Sequence, residues 1–222
     1  MNKLYMAFCG EGTTDERLFR NLTERIAQDI LIENNQTTEI EWLYLRRPKR
    51  SSEDALLQAA SEAKEQHVLI FHRDADCRSR DECLQNHFNS GLQKIHKMNA
   101  SNRIKHVIPA IPIQESEAWM LCDKELLRNL LETDLNYQEL ELTYQIKRVE
   151  TIRDLKAVIQ NAINIHRTQL PPRKRKRAVE LPDLYERFGT EVKIEKLMQL
   201  SSFATYERDL RDVLNTIFEI TA

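Results

Sequence analysis

Short apolar runs alternate with longer amphipathic stretches over roughly the first hundred residues. Leu4-Tyr5-Met6-Ala7-Phe8-Cys9 is strand-like and stops at Gly10-Glu11-Gly12. Thr13 or Thr14 then caps a predicted helix over about residues 15–32, because Leu18, Phe19, Leu22, Ile26 and Ile30 fall on one stripe. A second strand over 40–45, containing Trp42 and Tyr44, runs into Arg46-Arg47-Pro48-Lys49-Arg50, and Ser51-Ser52-Glu53-Asp54 opens a helix to about Lys64. Val68-Leu69-Ile70-Phe71 is apolar at every position, as a parallel strand covered on both faces should be. It delivers His72-Arg73-Asp74-Ala75-Asp76 to its C-terminal end. The polar stretch to about Met98 suits a helix, 104–111 suits a fourth strand ending at Pro112, and 115–131 a further helix.

That alternation predicts an α/β fold with a central parallel sheet flanked by helices. From about Glu132 every apolar pattern is helical: Leu155, Val158, Ile159 and Ile163; Val192, Ile194, Leu197 and Met198; then Leu210, Val213, Leu214 and Ile217. The expected organisation is an α/β domain over 1–130 and a helical C-terminal region over 131–222. Pro171-Pro172-Arg173-Lys174-Arg175-Lys176-Arg177 interrupts the latter as an exposed basic loop at 171–177.

A chain of 222 residues that is 41% hydrophobic can bury a real core. Its four glycines make Gly-rich dinucleotide loops improbable. The net charge of −2, despite 33 Lys and Arg, means that any case for nucleic-acid binding rests on local patches. No apolar run approaches the roughly 20 residues of a membrane span, and the N-terminus has no signal-peptide pattern, so a cytoplasmic location is expected. Cys9, Cys77, Cys83 and Cys122 have no C-x-x-C spacing, which suits reduced thiols better than disulfides or a zinc site.

In open α/β sheets, ligands bind beyond the C-terminal strand ends. Three of the four predicted ends carry carboxylates: Glu11 with Asp15 one turn later, Asp74 and Asp76, and Glu115 and Glu117. Glycines on both sides of Glu11 suggest tight geometry or close approach of a ligand. Individually, Glu11 and Asp15 suit a helix N-terminus, and Asp74-Ala75-Asp76 suits a solvated turn. Together, converging carboxylates repel unless a cation offsets them, and Mg²⁺ accepts such oxygen ligands while leaving room for phosphate oxygens. Residues two apart on a helix do not share a face, so one of Glu115 and Glu117 is expected to point into the site unless Glu115 precedes the helix.

Glu11-Gly12-Thr13-Thr14-Asp15-Glu16 after one strand and Asp74-Ala75-Asp76 after another resemble the signature of Toprim domains. These occur in topoisomerases, bacterial primases, RNase M5-type maturases and overcoming-lysogenization-defect nucleases. Pro112-Ile113-Gln114-Glu115-Ser116-Glu117-Ala118-Trp119-Met120-Leu121 resembles stand-alone Toprim-like proteins often encoded beside SMC-like or ABC-type ATPases in phage-defence settings. Residues 182–214, with Ser202-Phe203, are similar to that group's helical tail.

The resemblance implies a Toprim-like, Rossmann-like sheet in which Glu11 works in acid–base chemistry or binds metal, and Asp74 and Asp76 bind Mg²⁺, with Mn²⁺ as a substitute. Asp15, Glu115 and Glu117 are further candidates. The chain has no room for a topoisomerase gate or a primase zinc module, and no tyrosine stands out as a strand-passage nucleophile. Hydrolytic cleavage of nucleic acid by a metal-dependent endonuclease or phosphodiesterase remains. The competing expectation is a non-catalytic Toprim-like regulatory or assembly subunit of an ABC-type or SMC-like ATPase. A second copy of the chain, in a homodimer, is a further partner. A small-molecule phosphatase is disfavoured, since neither Asp-x-Asp-Gly-Thr nor Cys-x₅-Arg is present.

Two basic runs bear on a nucleic-acid partner: Arg46, Arg47, Lys49 and Arg50; and Arg173, Lys174, Arg175, Lys176 and Arg177. Either is a solvated charge run or a phosphate contact that relieves its own repulsion through counterion release. The first has the better location, on the same sheet edge as the carboxylates. Arg73 is expected to pair with a carboxylate, or else to neutralise phosphate. His67, His87, His96, His106 and His166 lack metal-ligand spacing. Trp42 and Trp119 are expected in the core, the latter behind the Glu115–Glu117 corner.

Overall fold

The computed structural model describes residues 2–76 and 79–219, so Cys77 lies outside the described residues. Four strands, β1 (Asn2–Cys9), β2 (Thr38–Leu45), β3 (Val68–His72) and β4 (His106–Ala110), form one sheet in the order β2-β1-β3-β4. All three pairings are parallel, with Met6 beside both Trp42 and Val68, and Ile70 beside Ile108. Parallel neighbours need crossovers, and helices supply them on both faces. α1 (Thr13–Glu33) follows β1, α2 (Ser52–Glu62) follows β2, and α3 (Arg80–His87) and α4 (Asn89–Lys97) follow β3. The fold is therefore α/β and Rossmann-like, as the alternation predicts.

Alternate side chains of the strands feed two cores. Leu4, Met6 and Phe8 of β1 and Val68 and Ile70 of β3 meet α1 and the C-terminal helices. Ala7 and Cys9 with Leu69 and Phe71 meet α2, α3 and α4 instead. β3 is buried at all five positions, which explains its unbroken apolar run. Along α1, the predicted stripe of Leu18, Phe19, Leu22, Ile26 and Ile30 is fully buried.

Several boundaries differ from the pattern reading, and β1 and β2 each begin two residues earlier. The helix expected up to Met98 is two helices, because Phe88 leaves helical geometry and drives its ring into the second core, edge-on to Phe71 at 5.6 Å. The helix expected over 115–131 is split into α5 (Glu117–Met120) and α6 (Lys124–Leu130), since the Asp123 carboxylate caps a new start by accepting from the Leu126 N–H at 3.0 Å. The fourth strand is two residues shorter at its start than the reading, and one shorter at its end.

Beyond α6 the chain runs through turns over 131–145 and is then helical: a 3₁₀ segment (Ile146–Thr151), α7 (Leu155–Gln169), α8 (Pro172–Arg175), α9 (Leu181–Glu191), α10 (Ile194–Leu197) and α11 (Ser201–Ile217). Residues 171–177 are exposed, although one helical turn, α8, lies within them. α9 and α11 pack on α1, so one apolar core contains Leu4 and Leu22 together with Leu184 and Leu214. Trp119 is buried at its centre, 5.1 Å from both Phe19 and Phe203, and donates its indole N–H to Ser202 Oγ at 2.8 Å. Thr23 Oγ1 and the Tyr206 hydroxyl hydrogen bond at 2.6 Å across the same interface. Trp42 is only half-buried and gives its N–H to Glu24 Oε2. Gly189 lets α9 touch α1: a β-carbon there would stand 2.5 Å from the Leu18 carbonyl oxygen. Cys9, Cys83 and Cys122 are buried free thiols, and among the described residues no helix is long and apolar enough to cross a membrane.

Candidate active site

The chain leaves β1 for the strand on one side and β3 for the strand on the other, so the sheet order reverses between them. Such a switch point opens a crevice at the C-terminal strand ends. Glu11 follows β1 there, and Asp74 follows β3.

Gly10 has no room for a side chain, as a β-carbon would lie 2.7 Å from the Phe8 ring and 3.3 Å from Asp15 Cβ. The tight turn thus comes from internal packing rather than from a left-handed backbone, and no described glycine has positive φ. Glu11 projects at the rim. Its Oε1 accepts from Arg47 Nη1 at 2.7 Å, with Arg73 Nη1 at 3.5 Å. Arg47 also lies over the Phe71 ring and reaches the His72 carbonyl, while Arg73 bonds Ser52 Oγ at 3.0 Å and Asp76 Oδ2 at 3.5 Å. The pairing expected of Arg73 is present. Within the first basic run, Arg47 alone turns inward, and Arg46, Lys49 and Arg50 are exposed.

His72 ends β3 with no solvent exposure, against the Phe19 ring at 4.5 Å. Its Nε2 hydrogen bonds Asp74 Oδ1 at 3.2 Å, and its Nδ1 is 3.6 Å from Asp15 Oδ2, beyond hydrogen-bond reach. Asp15 also accepts from the Gly12 N–H at 2.9 Å and from Ser116 Oγ at 3.3 Å. Ser116 Oγ stands 3.4 Å from Glu117 Oε2. Glu117 is fully buried; its Oε1 accepts the Tyr185 hydroxyl of α9 and lies 3.6 Å from Lys156 Nζ of α7. Glu115, before the helix, is 4.0 Å from the same ammonium.

The carboxylates are therefore disposed in three ways. Asp15, Asp74, Glu115 and Glu117 join one network through buried His72 and Ser116 and the exposed Lys156 ammonium. Glu11 stands at its rim under two arginines. Asp76, at φ 50°, turns its side chain outward to 66% exposure, with Oδ2 3.5 Å from Arg73. The Asp74–Asp76 loop is laced to the end of β4, with the Ala75 N–H on the Pro112 carbonyl at 3.1 Å and the Asp76 N–H on that of Gln114 at 3.3 Å.

The field of this cluster is negative, and its titratable groups respond. Burial alone would lower the His72 pKa, but Asp15, Asp74 and Glu11 outweigh it and hold the imidazole above its ordinary value. Burial likewise opposes the Lys156 ammonium, and Glu117, Glu115, Asp74 and Asp15 overcome it. Glu117 is raised by burial against the help of Tyr185 and Lys156, and Glu115 by burial with the charges of Glu117 and Asp74. Among the described residues, six carboxylates stand with three cations: Arg47, Arg73 and Lys156.

No family model matches the chain, and neither a characterised protein nor a solved structure does. The site must be read from its own chemistry. Among the described residues no three acidic, histidine or cysteine side chains close on one point as metal ligands. The donors nevertheless suit a hard cation, being all oxygen in an under-compensated negative field, and Glu115 Oε2 is buried without a hydrogen-bond partner.

Nothing in the sequence marks Ser116, Lys156 or Tyr185 as a site residue, and His72 stands out there only as a neighbour of Asp74. Lys156 and Tyr185 sit on amphipathic helices with no local motif around them. The second basic run stands elsewhere. It flanks the far end of α7, and ten residues separate Lys156 from His166 there, about 15 Å of helix.

Proposed function

We propose that the chain is a Toprim-like, Mg²⁺-dependent phosphodiesterase acting on nucleic acid, with its site in the switch-point crevice. The observation that carries the reading is the gathering of Glu11, Asp15, Asp74 and Glu117 at the strand ends in a field negative enough to raise both a buried His72 and Lys156. Glu11, Asp74 and Asp76 would hold the metal, with Mn²⁺ as a substitute. When bound, Mg²⁺ supplies Lewis-acid polarisation of the phosphodiester.

The chain's own groups supply the rest. Arg47 and Arg73 present guanidinium donors at the rim, where they can exchange Glu11 for non-bridging phosphate oxygens. Their departure frees Glu11 Oε1 to take a proton from the attacking water. His72 is a positioning residue: its Nε2 fixes Asp74 from a fully buried seat. Lys156 and Tyr185 hold Glu117 in place beneath.

Purified protein supplied with Mg²⁺ or Mn²⁺ is expected to cut DNA or RNA, and Asp74→Asn with Asp76→Asn to reduce cleavage to background. Cleavage unchanged in that variant would remove the assignment. One observation favours a second reading: Glu11 already has two arginine partners, as in a site that neutralises its own charge. A non-catalytic subunit of an ABC-type or SMC-like ATPase would show no Mg²⁺ binding by calorimetry and would co-purify with the ATPase.

A further inference from the structure

A cavity of about 960 Å³ opens between the end of α6, the C-terminal end of α7 and residues 172–179. Its wall includes Leu131, Leu170, Ala178 and Val179, and its rim carries Arg173, Lys174, Lys176 and Arg177. Nothing in the proposed hydrolytic site uses it.

Three features mark this cavity as a place for a ligand. Among the described residues, none of its four cations has a carboxylate within ion-pair distance, whereas nearby Arg167 pairs with Glu180 at 3.5 Å. Unpaired charges so close together repel, in a chain whose net charge is −2. Arg175, between them, is held to the Leu170 and Thr168 carbonyls at 2.8 and 2.9 Å, which anchors the segment. His166 lines the cavity at only 8% exposure, so its ring closes the wall rather than standing in solvent. Burial pushes this imidazole below its ordinary pKa, against the opposing charge of Glu132. Glu132 is the one acidic residue in the lining.

We propose that this cavity binds a nucleoside di- or triphosphate, with the phosphates on the Arg173, Lys174, Lys176 and Arg177 rim and the base against the apolar wall beside His166. The volume lies in the range of small-ligand pockets, and an apolar wall with convergent polar groups is their usual construction. A nucleic-acid backbone is a poorer occupant. A polymer tracked from this rim to the carboxylates needs a continuous basic groove. The intervening exposed positions of α7 are Ala157, Asn161 and Asn164, with no cation between Lys156 and Arg167. The site is thus self-contained, and it does not depend on the reading of the carboxylate cluster.

The test is calorimetric titration of the full chain, without Mg²⁺, using ATP, adenosine, tripolyphosphate and a single-stranded oligonucleotide as probes. ATP is expected to bind at one site, more tightly than adenosine or tripolyphosphate alone. Arg173→Ala with Lys176→Ala, both exposed positions, is expected to weaken it at least about tenfold. Lys97→Ala with Lys105→Ala, a charge-matched surface change elsewhere, is expected to leave it unaltered. Asp74→Asn with Asp76→Asn should also retain ATP binding, which separates this site from the hydrolytic one. Absence of saturable ATP binding, binding indifferent to the Arg173–Lys176 double variant, or binding of the oligonucleotide alone would each overturn the proposal.

Discussion

Replacing Gly189 by alanine should destabilise the protein, although alanine is the better helix former. A β-carbon at this position would lie 2.5 Å from the Leu18 carbonyl oxygen and 3.2 Å from Asn21 Cβ. Restoring even a 3.0 Å contact moves α9 about half an ångström off α1, and the obstacle is backbone, which cannot rotate aside. A gap of that size forfeits roughly a quarter of the dispersion energy of each contact it opens. Overpacking of this kind costs about 1–3 kcal/mol, against about 1 kcal/mol gained from the glycine-to-alanine helix propensity. The net loss is then up to about 2 kcal/mol, or up to roughly 8 °C in Tm for a chain of this size. Gly91→Ala provides the internal control. Its new β-carbon would meet the Leu56 Cδ2 methyl at 3.0 Å, a flexible side-chain end that can yield, so the propensity gain should offset most of the cost. Paired thermal and urea melts of the two variants read the difference. A Gly189→Ala protein stabilised by the full propensity gain of about 1 kcal/mol would refute the claim that α9 is seated through this contact.

Ser202→Ala strips the acceptor from the buried Trp119 indole N–H and is expected to cost about 1–3 kcal/mol by urea denaturation. Combined with Trp119→Phe, the losses should be less than additive, and strict additivity would show that the bond contributes nothing. His67 supplies a pH test: burial and Lys105 hold its imidazole below its ordinary pKa, and Nδ1 accepts the Tyr5 N–H at 3.1 Å. A depressed folded-state pKa contributes stability that is full above the unfolded value of about 6.5 and is lost as pH falls through the folded value. His67→Gln should therefore shrink the drop in Tm between about pH 7.5 and 5.5, and an unchanged drop would exclude His67 as a contributor.

The parts of the fold that read directly from the chain are those whose pattern is set locally. β3 is apolar at every position because both faces are covered, and the α1 stripe repeats because one face of that helix meets the sheet. Strand ends are legible for the same reason, which is why Glu11, Asp74 and Glu115 could be singled out. Helix interruptions at Phe88 and Asp123 were not legible, since one depends on a ring finding a distant core and the other on a single cap within a continuous amphipathic pattern. The same holds for the site's supporting groups. Tyr185 meets Glu117 across 68 residues of chain, and neither residue is surrounded by anything that announces the other. Asp74 and Asp76 show what spacing leaves open: it places two carboxylates at one strand end, and the left-handed turn at Asp76 faces the second outward, so a shared ion requires that side chain to swing back.

The seating of α9 and α11 on α1 has a consequence for the order of synthesis. α1 leaves the ribosome long before the helices that cover it, so a nascent chain must carry the apolar stripe of Leu18, Leu22 and Ile26 without its partners. The crevice would be equally incomplete then, with Glu117 lacking both Lys156 and Tyr185. A growing chain should consequently complete its crevice only when the late helices dock, and early truncation products should attract chaperones.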